Sequence, residues 1–435
     1  VASPHQPRPP AHHATRARQL TDLGLSSGFS GRRVVYLSLD LLEEQPAAAL
    51  VDTIGRALEL AGGREHPRLL LLDEVTSATR WRTSVKALWD DGRIDEDVAI
   101  CTGSSAVDLA EGAAERLPGR RGPGRDFLVM PQSFGAFARV VEQGVPAAPG
   151  LSVGELLSAD GQAELRGARI HLPALQRALE RYLLFGGLPA GVAEAVVGEP
   201  APSEEVRRVL WDSLVREVQR KGASTPAAQA LLERVMRSLD SKISWSQMAR
   251  EMAVPLRGRR SSRAGRTEPR TLQAYVELLA VNYFALVLYF WRQDSGTADV
   301  AKDKKMYFGD PLLHTITADR VGLQRDPHAE VENAIALALY RRYEPIERRS
   351  ENMISPERLH VWGTKSGGEI DFVCGPREAI EAVEVADWAR VNRQKATAPM
   401  RALPGRPAVV ATRDDFELGG TANLLPAALL LWALS

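Results

Sequence analysis

A chain of 435 residues exceeds what one hydrophobic core organises, so two to four domains are expected. A hydrophobic fraction of 44% and a charged fraction of 25% exclude a wholly disordered chain, and 55 basic against 55 acidic residues exclude a bulk electrostatic pull toward nucleic acid or membrane. No run approaches the roughly 20 apolar residues of a spanning helix. The only two cysteines, Cys101 and Cys374, lie in apolar runs, which points to a reduced, cytoplasmic setting without a disulfide framework.

Residues 1–19, VASPHQPRPPAHHATRARQ, have no hydrophobic periodicity and read as disordered. The stretch 1–27 is set apart as a disordered or misassigned N-terminus. From Arg33 the pattern changes. VVYLSLD (34–40) predicts a strand, ALVDTIGRALELAG (49–62) a helix, and RLLLLDE (68–74) a fully buried strand ending in Asp73 and Glu74. TSVKALWDDG (83–92) predicts a helix. DVAICTGSS (97–105) and FLVMP (127–131) predict a third and a fourth strand. Strands alternating with helices indicate a parallel sheet covered on both faces, whose ligands bind beyond the carboxyl ends of the strands. Asp40, Asp73, Glu74, Thr102 and Ser104 all fall at such ends.

Residues 151–225 read as a helical linker. HLPALQRALERYLLFGGLP (171–189) is its clearest helix, closed by Gly186, Gly187 and Pro189. In 226–320, SWSQMAREMAV (244–254) starts with the capping-box spacing Ser244–Gln247, and TLQAYVELLAVNYF (271–284) gives a second helix. LVLYFW (286–291) and KKMYF (304–308) then read as a hairpin. Helix, turn, helix and hairpin in that order predict a winged helix. Residues 321–435 predict a further α/β domain, with a helix at 332–343 and strands at 359–363, 368–375, 379–386 and 407–412. LLPAALLLWALS reads as a closing core element.

Two consecutive acids at a buried strand end suit nucleotide hydrolysis, in which one carboxylate helps hold Mg²⁺ and the next polarises water. The bland alternative is a pair of solvated acids capping the next helix. An arginine of LPGRRG (117–122) could stabilise transferring phosphate. LRGRRSSRAGRTEPR sets Arg257, Arg259, Arg260, Arg263, Arg266 and Arg270 against one acid, Glu268, just before the second winged-helix helix. It reads either as a phosphate-contacting loop on DNA or as a solvated loop.

The ordered set LLLLDEVTSATRWRTSVKALWD, ICTGSS, LPGRRG, LVMPQSFGAF, YLLFGGLP, DKKMYFGDPLL, VEN, GEIDF and EAVEVA resembles a prokaryotic group of AAA+ ATPases. In that group the ATPase core precedes a winged helix and a nuclease-like C-terminal domain of unknown function. The resemblance implies an α/β fold class: a P-loop NTPase-like parallel sheet (28–150), the helical linker, the winged helix, and a C-terminal restriction-endonuclease-like domain (321–435). It implies ATP and Mg²⁺ as cofactors. Asp73 becomes the magnesium-associated acid, Glu74 the base, Thr102 or Ser104 the sensor, and Arg120 a phosphate-contacting arginine. In the C-terminal domain, Glu332, Asp371 and Glu384 resemble the acids of a PD-(D/E)xK nuclease, with Asp371 and Glu384 as metal ligands. Partner expectations are DNA through the winged helix and Arg-rich loop, a homo-oligomer, and no membrane.

Two lysines of that pattern are not where it puts them. The phosphate loop G-x-x-x-x-G-K-[ST] has no match, and no lysine precedes Lys86; HATRARQL (13–20) stands where the family has its lysine and hydroxyl. A degenerate ATPase, a wrong or frameshifted start, and a longer protein upstream all stay open, with the well-formed downstream pattern favouring the start or frame defect. The E-x-K lysine position is Ala386, and Lys365 or Lys395 could substitute only if the fold brings one inward. Whether the chain is an enzyme therefore stays open. A non-hydrolysing DNA-binding or scaffold protein is the alternative.

Overall fold

The LLLL run that ends in Asp73 becomes the middle strand of a parallel sheet. The computed structural model describes residues 12–39, 46–62, 66–78, 80–103, 129–219, 222–239, 241–252, 267–344, 356–363, 368–386, 397–403, 405–419 and 423–435. The chain divides into two compact units, Val1–Asp126 and Phe127–Ser435.

In the first unit, helix α1 (His12–Ser26) leads into β1 (Val34–Ser38), α2 (Ala47–Leu60), β2 (Leu69–Asp73), α3 (Trp81–Asp90) and β3 (Val98–Cys101). The strands run parallel in the order β1-β2-β3. All five β2 residues are buried, as a central parallel strand requires. Leu50, Ile54 and Leu58 of α2 and Trp81, Val85 and Leu88 of α3 close one core with Leu70 and Leu72. Arg68 anchors the start of β2. Its guanidinium is buried, paired with Asp97 at 2.7 Å, and donates to the carbonyls of Leu58 and Arg93.

Two expectations need correction. Residues 12–26 form a helix where disorder was predicted, and α1 packs on β1 and β2. Gly24 permits that approach, since a Cβ there would lie 2.7 Å from Leu69 Cδ2. Of the expected fourth strand, residues 129–131 are irregular, and 127 and 128 lie outside the described residues.

The second unit begins with helices. They are α4 (Phe134–Val141), α5 (Val153–Leu156), α6 (Ala159–Ala168), α7 (Leu172–Phe185), α8 (Pro189–Val196), α9 (Glu204–Gln219), α10 (Thr225–Met236), α11 (Trp245–Arg250) and α12 (Pro269–Val281). Ser244 caps α11 by accepting from Gln247 N at 3.1 Å. The hairpin β4 (Ala285–Arg292) and β5 (Thr297–Phe308) follows, with a register shift after Tyr289. Ile243 exchanges backbone hydrogen bonds with Lys304 of β5. Then come α13 (Pro311–Val321), α14 (Pro327–Tyr343), β6 (Leu359–Gly363), β7 (Glu369–Cys374), β8 (Glu381–Val385), β9 (Ala408–Thr412), β10 (Asn423–Pro426) and α15 (Ala427–Leu434).

The hairpin does not stand apart from the later strands. Phe290 of β4 pairs with Val361 of β6, giving one seven-stranded sheet in the order β10-β9-β8-β7-β6-β4-β5. Helix α14 packs against β5, β6, β7 and β8. Asn333 fixes its height on the sheet. The side-chain oxygen of Asn333 accepts from Phe308 N at 2.7 Å, and its amide donates to Phe308 O at 3.1 Å, as a neighbouring strand would. Every residue of α15 is buried, so the C-terminal apolar run is a core helix. Among the described residues no helix is long and apolar enough to cross a membrane.

Candidate functional site

Asp73 ends β2 at the carboxyl edge of the first sheet, only 4% exposed. Hydroxyls from both sides hold it. Tyr36 of β1 donates to Oδ2 at 2.8 Å, and Thr102, just past β3, donates to Oδ1 at 2.5 Å. Glu74 follows with φ 53° and ψ 43°, a left-handed conformation unusual for a residue with a side chain. Thr102 stitches this turn in place. Its hydroxyl accepts from Glu74 N at 3.3 Å, and its carbonyl accepts from Val75 N at 2.8 Å. Thr76 donates to Glu74 Oε1 at 2.9 Å, and Gly103 lets the end of β3 pass close: a Cβ there would lie 2.5 Å from the Thr76 methyl. The edge therefore presents two acids in fixed, separate directions. Asp40, Ser104 and Arg120 lie outside the described residues.

The second unit brings Glu332, Asp371 and Glu384 together. Asp371 and Glu384 meet because β7 and β8 are antiparallel neighbours. Beyond the Phe372–Val383 pair, side chains replace the backbone ladder. Glu384 Oε2 accepts from Asp371 N at 3.2 Å, and Asp371 Oδ2 accepts from Val385 N at 2.8 Å. Glu332 comes from α14, held by the neighbouring Asn333 clamp. Between these acids stands a lysine that sequence reasoning missed. Lys305 Nζ lies 2.8 Å from Asp371 Oδ1, 3.0 Å from Glu332 Oε1 and 3.0 Å from Glu369 Oε1. Tyr307, two residues on and so on the same face of β5, donates to Glu332 Oε1 at 2.7 Å. The available signal was KKMYF itself: a lysine in a strand this apolar needs partners. Lys365 and Lys395 lie outside the described residues. Ala386 is buried at the end of β8.

Burial dominates the electrostatics of this cluster. It pushes the Glu332 carboxyl up to about 8 and that of Glu384 up to about 9, each helped by the charge of Asp371. Burial alone would lower the Lys305 ammonium. Asp371, Glu332 and Glu369 outweigh it and hold the ammonium well above the usual lysine range.

The set does not fit a divalent cation as arranged. Glu369 Oε2 is engaged by Lys242 at 2.5 Å, and Glu332 Oε2 faces His328 Nε2 at 3.5 Å. With the contacts to Lys305, Val385 N and Asp371 N, protein donors occupy most of the oxygens that would have to ligate. Among the described residues no group of three or more His, Cys, Asp or Glu side chains is arranged to hold a metal ion.

Of the basic loop, Arg270 is described, exposed in the first turn of α12, while Arg257, Arg259, Arg260, Arg263 and Arg266 lie outside the described residues.

Residues 15–138 match the family model described as AAA domain. The match supports an AAA-type, ATPase-like, nucleotide-binding character for this part of the chain, under a third of its length, and it spans Asp73, Glu74, Thr102, Ser104 and Arg120. Comparison with curated proteins and with solved structures gave no match.

Proposed function

We propose that the chain is an ATP-binding, AAA-type protein whose nucleotide state governs a C-terminal half that contacts DNA or protein. One observation carries the nucleotide reading. Asp73 sits at the carboxyl edge of a central parallel strand, each of its oxygens bonded to a hydroxyl from a flanking segment. A carboxylate so fixed keeps its direction when Mg-ATP arrives, and Glu74, held on its own turn by Thr76, would orient water. Thr102 touches both residues and would report the γ-phosphate. The phosphate cradle is not drawn from the described residues. In the C-terminal half, the helices α11 and α12 and the β4–β5 hairpin support a winged-helix reading, with the arginines of the stretch 256–270 supplying phosphate contacts.

Binding of a labelled duplex, with and without Mg-ATP, tests the coupling. Affinity should change with nucleotide and fall steeply with salt, and changing Arg257, Arg259, Arg260, Arg263 and Arg266 to Ser should flatten the log–log slope by about 0.9 per lost phosphate contact. Equal binding by the loop variant would remove the DNA contact.

A second reading has its own support. Ala386 stands at the lysine position of E-x-K, which favours a non-hydrolysing DNA-binding or scaffold protein with degenerate sites. A chain that binds duplex but no nucleotide would fit this reading alone.

A further inference from the structure

We propose that Lys305 is the resident cation of the C-terminal acid cluster, its ammonium holding the place among Glu332, Glu369 and Asp371 that a divalent ion would need. This inference goes beyond the nucleotide reading and does not rest on it.

The first argument is stoichiometric. A lysine ammonium has three N–H donors, and three carboxylate oxygens from three different side chains surround this one at 2.8–3.0 Å. The second is positional. Lys305 is 2% exposed and Glu332 1% exposed, so neither group is a surface side chain that happens to lie nearby. The Asn333 side-chain clamp holds α14 against the backbone of Phe308, three residues along from Lys305, and so fixes the register between ammonium and carboxylate. The third concerns the remaining oxygens. Val385 N, Asp371 N, Lys242 and His328 each face another oxygen of the cluster. A divalent ion would have to displace several of these donors and sit within a few ångströms of a buried ammonium, where like charges are poorly screened. The cluster thereby ties β5, α14, β7 and β8 together through a tethered charge. A nuclease-like arrangement of acids serves here as a lysine lock.

The test uses the full chain without nucleotide. Mn²⁺ is titrated by calorimetry, and melting is followed at about 100 times a micromolar-range Kd, where a genuine site raises the melting temperature by several degrees. The wild type should show no saturable Mn²⁺ binding and no shift. Lys305→Met, which keeps the length and removes the charge, should gain one Mn²⁺ site at least tenfold tighter than the wild type, and Lys305→Met with Asp371→Asn should lose it again. Lys305→Gln serves the same purpose if the methionine variant does not fold. Saturable Mn²⁺ binding by the wild type that disappears in Asp371→Asn would overturn the proposal. So would a folded Lys305 variant that gains no site. Every arm is run without nucleotide and reads residues of the second unit alone, which separates this outcome from any failure of the nucleotide reading.

Discussion

Glu332 and Glu384 give the second unit a pH dependence with a definite sign. Their folded carboxyls titrate at about 8 and about 9, above the ordinary value of 4.5, because burial disfavours the charged form. Asp310, buried where it accepts from Gly187 N and Leu312 N, is likewise raised to about 7. Between the unfolded and folded values these three groups bind more protons in the native state than in the unfolded chain, so their contribution to stability is fully present below about pH 4 and is lost as pH rises toward 9. The melting temperature should therefore fall by roughly 5 °C or more between pH 5 and pH 9. Glu384→Gln should flatten that slope, as read by circular dichroism melts at several pH values, and an unchanged slope would remove Glu384 as a source. At this scale the sequence was unequally legible. Asp73 and Glu74 announce themselves because they close a run of four leucines. Lys305 does not, because its partner Asp371 lies 66 residues away and only the sheet brings them together. Tyr36 reads only as part of a strand, since nothing local shows that its hydroxyl reaches the next strand's acid.

Elements are tied to one another by a few buried polar groups. Asn333 is the clearest case, because both atoms of its amide replace backbone partners of Phe308. Asn333→Ala leaves a buried N–H and a buried C=O unpaired, which should cost about 2–4 kcal/mol. Urea denaturation measures this directly. A loss below about 1 kcal/mol would mean that water or a relaxed backbone satisfies both groups. The elements most legible in the sequence were those with strong periodicity or a clear terminator, such as α7 ending at Gly186 and α11 starting from the Ser244 cap. Helix α1 was not legible. HHATRARQLTDLGLS has few apolar residues, and its close approach to the sheet depends on the missing side chain of Gly24 rather than on a hydrophobic stripe. Strand β10 was hidden for a related reason: its four residues end in Pro426 and run straight into α15.

Among the described residues a smaller hydrophobic cluster surrounds Trp362, Ile370 and Val410, and the two larger clusters are separate. One is built from Val35 to Ile94, and the other runs from Phe134 to Leu434 through helices and sheet alike. Calorimetry should accordingly show two transitions, and a fragment of residues 127–435 should keep the second one; a single transition lost on truncation would contradict independent cores. The nucleotide site belongs to the first unit in this reading. Its most direct test is titration of the full chain with ATP in Mg²⁺, followed by the same titration of Asp73→Asn and Glu74→Gln. Binding should be saturable and weakened at least tenfold in Mg²⁺ by Asp73→Asn, while Glu74→Gln keeps binding and abolishes whatever hydrolysis is present. No nucleotide binding by the wild-type chain, or binding indifferent to Asp73, would contradict it.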